Sequence, residues 1–242
     1  MQLTDLRIPS GWRLSTVGES CMIDNHLREP ISATVRQTLK GDYPYYGPTG
    51  VLDHLDSYRI NGTYALIAED GDHFLKYEDV DMTLLVEGKF NVNNHAHLVR
   101  GNGDCTTEWV YNFYRRANLY PFITRQGAGR YKLNKATLEE LPILIPPLPE
   151  QRKIAAILGA WDAAIGRVEQ LIAALQRRKQ GLIQRLLTGT VRFPEFVGTE
   201  WQELRLGEFL RYTTAQGGEA SLLICQNGYS QPRKRHLHRD YR

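Results

Sequence analysis

Residues 146–189 read PPLPEQRKIAAILGAWDAAIGRVEQLIAALQRRKQGLIQRLLTG, and this stretch decides the architecture. Taking Ile154, Leu158, Trp161, Ile165, Val168, Ile172, Leu175, Lys179, Leu182 and Leu186 in turn, the steps alternate four and three. That is the heptad rhythm of two helices lying side by side, and only Lys179 interrupts its apolar seam. Pro146 and Pro147 block helix upstream. Pro149 falls at about the first helical position, where its missing N–H removes no bond, and Gly189 supplies the stop. The predicted helix over 148–187 would be a rod of roughly 58 Å, far longer than the side of a small domain. Arg152, Lys153, Arg167, Arg177, Arg178, Lys179 and Arg185 outnumber Glu150, Asp162 and Glu169 on it. Basic residues gathered toward a helix C-terminus complement its dipole, so this charge is not by itself a sign of nucleic acid.

The rest of the chain supplies one large domain or two modest ones. At 242 residues, with 42% hydrophobic content, it can bury a core. A net charge of +3 permits an anionic partner without requiring one. Cys21, Cys105 and Cys225 form no CxxC pair, which argues against a disulfide framework or a zinc ribbon and for a reducing compartment. No apolar run reaches membrane-spanning length and the N-terminus has no signal-peptide core, so the expected location is the cytoplasm.

Taken in order, Ile8 to Glu19 reads as a turn and a short extended or helical entry. Its spacing of Trp12 to Gly18-Glu19 recurs at Trp201 to Gly207-Glu208, each after a proline and with a hydrophobe just before the glycine, which predicts an internal repeat of domain-sized period. Residues 40–51 are dense in turn formers and tyrosine. Ser57 to Ala68 alternates as a strand pair turning at Asn61-Gly62, Gly71-Asp72 makes a turn, and 81–87 and 90–99 read as further strands. Glu108 to Asn118 is the best helix before the long one, residues 126–134 a flexible basic loop, and 138–145 a short element leading into the prolines. Short strands with glycine punctuation predict an α+β class: a mostly β domain with a few helices, followed by the long coiled-coil helix.

Catalytic motifs are missing. No GxSxG, HExxH, P-loop or GxGxxG occurs, and the carboxylates are not clustered as a metal-dependent nuclease would need. His95 and His97 read as a hydrogen-bonded structural pair in preference to a zinc site, because no fourth ligand stands at a metal-like spacing. Better candidates for binding are Tyr43, Tyr45 and Tyr46, which combine apolar area with a hydroxyl, and Arg59, Arg100, Arg125, Arg130 and Lys132, which offer phosphate and base-edge donors. The competing reading packs those tyrosines in a β core and leaves the cations solvated. Asn93, Asn94 and Gln126 fit bidentate contact with adenine and equally fit turn caps.

Leu133-Asn134-Lys135, the run Leu141-Pro142-Ile143-Leu144-Ile145-Pro146-Pro147-Leu148-Pro149-Glu150-Gln151-Arg152-Lys153-Ile154, Asp162, the helix end at Gly181 to Gly189, and Tyr43-Pro44-Tyr45-Tyr46-Gly47 together resemble the specificity subunit of type I restriction-modification enzymes. The resemblance covers essentially residues 1–210. It implies a non-catalytic subunit in which a target recognition domain, residues 1–146, reads one half of a bipartite sequence in double-stranded DNA. A spacer and dimerisation helix, residues 147–189, would pack antiparallel on a second such helix, in a homodimer or with another half subunit. Residues 190–242 would be the truncated start of a second recognition domain, since the text after Gly207-Glu208 departs from the first copy into a loose, basic tail. The resemblance further implies methyltransferase subunits carrying S-adenosylmethionine, a motor-nuclease subunit using ATP and Mg, and no cofactor, metal or membrane for this chain. The alternative is a truncated, non-recognising protein that binds methyltransferase through its helix.

Overall fold

Residues 60–68 carry apolar side chains in both alternation phases, which a strand does when both of its faces are covered. In the computed structural model, which describes residues 1, 3–5, 7–125, 131–201, 210–214 and 220–224, this segment is a central strand of the largest sheet. The chain divides into two units, Met1–Glu169 and Gln170–Arg242, and the division falls inside the long helix.

The first unit is built from β1 (Arg13–Thr16), α1 (Val17–Ser20), β2 (Cys21–Ile23), α2 (Ala33–Thr38), β3 (Lys40–Tyr46), β4 (Val51–Leu55), β5 (Ile60–Ala68), β6 (Thr83–Val92) and β7 (Ala96–Gly101). There follow α3 (Thr107–Tyr114), β8 (Thr124–Arg125), β9 (Tyr131–Lys132), α4 (Lys135–Glu140), β10 (Pro142–Ile145) and the helix α5 (Leu148–Leu187). Six strands form one sheet in the order β2-β7-β5-β6-β3-β4, antiparallel except where β3 runs parallel to β6 at Tyr45–Asn91 and Tyr46–Val92. Ala65 and Ile67 of β5 point into a core shared with Trp109, Val110, Phe113 and Tyr114 of α3. Tyr64 and Leu66, in the other phase, join Phe90, Val92 and Leu98. The fold is α+β, with a long helix after the sheet domain.

Two expectations fail here. Asn61-Gly62 is not a hairpin turn; it lies inside β5, opposite Lys89 and Gly88. Residues 81–87 and 90–99 are not two separate strands either, because β6 runs through Gly88, whose φ of +89° a glycine tolerates. The reason is the same in both cases: burial on two faces of the sheet outweighs a local turn signal. The reversal comes at Asn93–His95, where the Asn93 Oδ1 accepts the His95 N–H at 2.8 Å. The predicted element at 138–145 resolves into the end of α4 and then β10, which pairs with β1 from Arg13–Ile145 to Thr16–Pro142. The structure also brings two distant thiols together: Cys21 and Cys105 are both buried, and the neighbouring Cys105 thiol together with burial pushes the Cys21 thiol up.

The β1–β10 pair delivers the chain to α5. Pro147 C=O accepts the N–H groups of Glu150 and Gln151, starting the helix where the prolines place it. Gln151 is fully buried. Its amide donates to the carbonyls of Asp104 and Pro146, at 2.6 and 2.8 Å, and accepts the Thr106 N–H at 2.9 Å. Trp12 packs edge-on to Trp109 and donates to Glu150. Farther along, both oxygens of Asp162 accept from Arg115, which also holds Asp81.

In the second unit, α5 ends at Leu187 and the chain turns at Gly189, with φ +71°; the Trp201 ring lies against that glycine so closely that a Cβ there would collide with it. The guanidinium of Arg192 covers the same indole. Strands β11 (Leu210–Thr214) and β12 (Ala220–Ile224) pair antiparallel. β11 begins nine residues after Trp201, as β2 begins nine after Trp12. Among the described residues no helix is long and apolar enough to cross a membrane.

Candidate nucleic-acid interface

The outward face of α5 is the most exposed apolar surface described. Ile154 packs against the main core of the first unit. Beyond it the seam opens to solvent: Leu158 is 40% exposed, Trp161 67%, Ile165 54% and Val168 56%. Ile172, Leu175 and Leu182 are likewise exposed, and Leu186 is half-buried. Ile157, Leu171, Ile183 and Leu187, outside the predicted heptad positions, are exposed too and widen the stripe. That is a larger contiguous apolar stripe than the scattered single hydrophobes of an ordinary protein surface.

The candidate binding residues of the β domain separate into three groups. The first is occupied within the fold. Tyr45 is 1% exposed, its hydroxyl donating to Glu29 C=O and accepting the Ile31 N–H while Arg36 lies over its ring. Tyr46 is half-buried, edge-on to Phe90. Asn93 is buried and caps the β6–β7 turn. Arg100 is paired with Asp24 at 2.6 Å. Tyr45, Asn93 and exposed Asn94 nevertheless meet in one open pocket with Ser32, Arg36 and His95.

Lys132 belongs with a polar network at the β5–β7 end of the sheet. Its ammonium lies 3.1 Å from Glu69, which also takes a hydrogen bond from Arg28. Burial works to raise the Glu69 carboxyl, but those two cations outweigh it and hold it below the ordinary carboxylate value. His97 next to it is 1% exposed. Its Nε2 lies 2.8 Å from Leu133 C=O and its Nδ1 2.8 Å from the Asn25 amide, the arrangement of a neutral ring protonated on Nε2. Burial depresses its pKa. His95 lies 2.7 Å from Asp70 through Nδ1. Each histidine therefore has a structural partner, and among the described residues no group of histidines, cysteines and carboxylates is placed to hold a metal.

The second group lies at the surface, with Tyr43 half-buried. Tyr43 lies 5.0 Å from Tyr58, ring to ring, and the ammonium of Lys89 sits 4.7 Å over the Tyr58 ring. Arg59 is exposed beside them, at the foot of β5. The sequence does not single out Tyr58 or Lys89: Tyr58 falls at the start of the predicted strand pair of residues 57–68, and Lys89 in a supposed break between two strands. The third group lies outside the described residues: Gln126 and Arg130 are not described, nor is the side chain of Arg125.

Comparison with known proteins gives these arrangements a context. The family model for the type I restriction modification DNA specificity domain matches residues 9–177. A Haemophilus influenzae protein described as a type I restriction enzyme specificity subunit is 37% identical over 145 residues, 60% of this chain and 36% of its own length. The MjaVIII specificity subunit of Methanocaldococcus jannaschii is 24% identical over 238 residues, 94% of this chain and 55% of its own. The present chain thus spans about half or less of these relatives. The crystal structure of the type I restriction-modification S subunit from M. genitalium superposes with a TM-score of 0.61 at 13% identity, covering 87% of this chain and 57% of that one. At that identity the likeness is one of fold.

Proposed function

The chain belongs to the type I restriction modification DNA specificity domain family, and from that premise we propose that it is a reading head on a spacer. Residues 1–146 inspect one half of a bipartite sequence in duplex DNA, and the helix of residues 147–189 pairs with a second helix that fixes the distance to the other half. The observation that carries this reading is the uncovered apolar stripe from Leu158 to Leu187, on a helix whose first turns are tied into the β domain by Gln151, Ile154 and Asp162. A helix held at one end and unpartnered along its seam transmits the orientation of its domain to whatever covers the seam. Two copies joined in this way would be related by a two-fold axis and would read an inverted repeat with a fixed gap.

The chemistry lies elsewhere in this reading. S-adenosylmethionine belongs to methyltransferase subunits docked on this chain, and ATP and Mg to a motor-nuclease subunit. The test has two parts. Light scattering of the purified chain should give twice its 27.7 kDa mass, and methylome sequencing of cells expressing it with its methyltransferase subunits should give modified sites spaced by one constant gap. A monomer at micromolar concentration defeats the pairing, and an unmodified genome defeats the reading head.

A further inference from the structure

We propose that the edge formed by Tyr43, Tyr58, Arg59 and Lys89 is where the β domain meets the phosphodiester backbone of duplex DNA, with Arg59 and Lys89 each neutralising one phosphate. This rests on the DNA-reading function above and adds the contact surface that the sequence left open.

Four observations converge on it. The chain entering β5 is held by a buried amide: Asn91 Oδ1 accepts the Arg59 N–H at 2.9 Å, and Asn91 Nδ2 donates to Ser57 C=O at 2.7 Å. Two bonds to one core side chain fix the backbone on both sides of Tyr58, so Tyr58, 41% exposed, and Arg59 project from a rigid loop. The second cation comes from the neighbouring strand, where Lys89 stands opposite Asn61, and it rests on an aromatic face and has no carboxylate partner among the described residues. An ammonium held that way keeps most of its charge available to an incoming anion. Finally, among the described side chains, several other cations of this domain are already engaged: Lys132 and Arg28 with Glu69, Arg100 with Asp24, Arg36 and Lys40 with Asp53. Arg59 makes no side-chain ion pair among the described residues. Asp42, Asp56 and Glu87 are also exposed in the neighbouring sequence, which confines the assignment to two point contacts and excludes a continuous basic groove.

Phosphate contacts release counterions, and each contributes about 0.9 to the slope of log affinity against log salt on duplex DNA. The experiment measures binding of the full chain to mixed-sequence duplex by fluorescence anisotropy between about 50 and 200 mM salt. It is done alone and with the methyltransferase subunits. Arg59→Gln and Lys89→Gln should each lower the slope by about 0.9 and weaken binding roughly eightfold at about 0.1 M salt, and the double variant by the product. Lys76→Gln removes a charge beyond the other end of the β5–β6 pair, where Ile67 faces Thr83, and should leave the slope unchanged. Thermal unfolding of each variant confirms the fold. If the wild type binds and both variants keep its slope, this edge is not the contact surface and the reading function stands. If the wild type binds no duplex in either form, the reading function fails and takes this assignment with it.

Discussion

Two lengths of the same helix live in opposite circumstances. From Glu150 to Ile154, α5 is locked to the β domain: Glu150 takes the Trp12 indole N–H, Gln151 satisfies three backbone groups, and Ile154 enters the core. From Leu158 to Ile183 the apolar seam positions are exposed, and Asp162 is held by Arg115. The lesson is that periodicity declares a sticky face without declaring its occupant. The occupant of the first turns is decided by polar groups off the seam, whose bonds are directional where apolar contact is not.

That contrast can be broken from either side. The largest effect is expected at the anchored end. Gln151→Ala strands the Thr106 N–H and two carbonyls away from water and should lower stability by about 3 kcal/mol, read as a shift of the urea midpoint; a shift within about 0.5 kcal/mol would mean the anchor is ornamental. The uncovered side should answer differently. Trp161→Glu with Ile165→Glu should leave the unfolding midpoint of the β domain unchanged while weakening self-association by about 2–3 kcal/mol through buried charge, seen as a monomer in light scattering. If the pair instead unfolds the domain, the seam serves the fold.

Acid sharpens the same division. His97 is kept neutral by burial and His73 likewise, so their folded pKa values lie below 6.5. Below pH 6.5 the unfolded chain binds protons that the folded chain refuses. Stability of the β domain should therefore fall as pH drops through that window, by up to about 1.4 kcal/mol per pH unit for each ring, and be flat in this respect above it. Association through the helix, which carries no histidine, should not follow. Asp162→Asn, removing a partly exposed pair, should change stability by about 1 kcal/mol or less. Its sharper readout is a loss of preference for one gap length in methylated sites, since Arg115 orients the helix on its domain.

How much of this the residues declare in advance depends on the range over which they act. The strand signals at 57–68 and 81–99 were real but divided in the wrong places, because Gly62 and Gly88 look like turns one at a time and face each other across a sheet. On chemical type Tyr45 and Asn93 fit DNA contact and a packing or capping role alike; in the fold the first is enclosed by the chain at 29–36 and the second holds a turn. Lys132 was marked as a phosphate contact and holds Glu69, 63 residues away. Conversely Tyr58 and Lys89 carried no signal, since their partnership needs two strands already in register.

By itself the sequence determined the helix, its bounds and its apolar stripe, because proline, glycine and the four-three spacing act within a few residues and need no tertiary partner. It also carried the family, in the run from Leu141 to Ile154. Only the tertiary structure decided which polar side chains are already satisfied and which still face outward. That is settled by contacts between positions tens of residues apart, such as Gln151 with Thr106, Arg59 with Asn91 and Tyr43 with Tyr58, and no local pattern encodes a distance the chain closes only on folding.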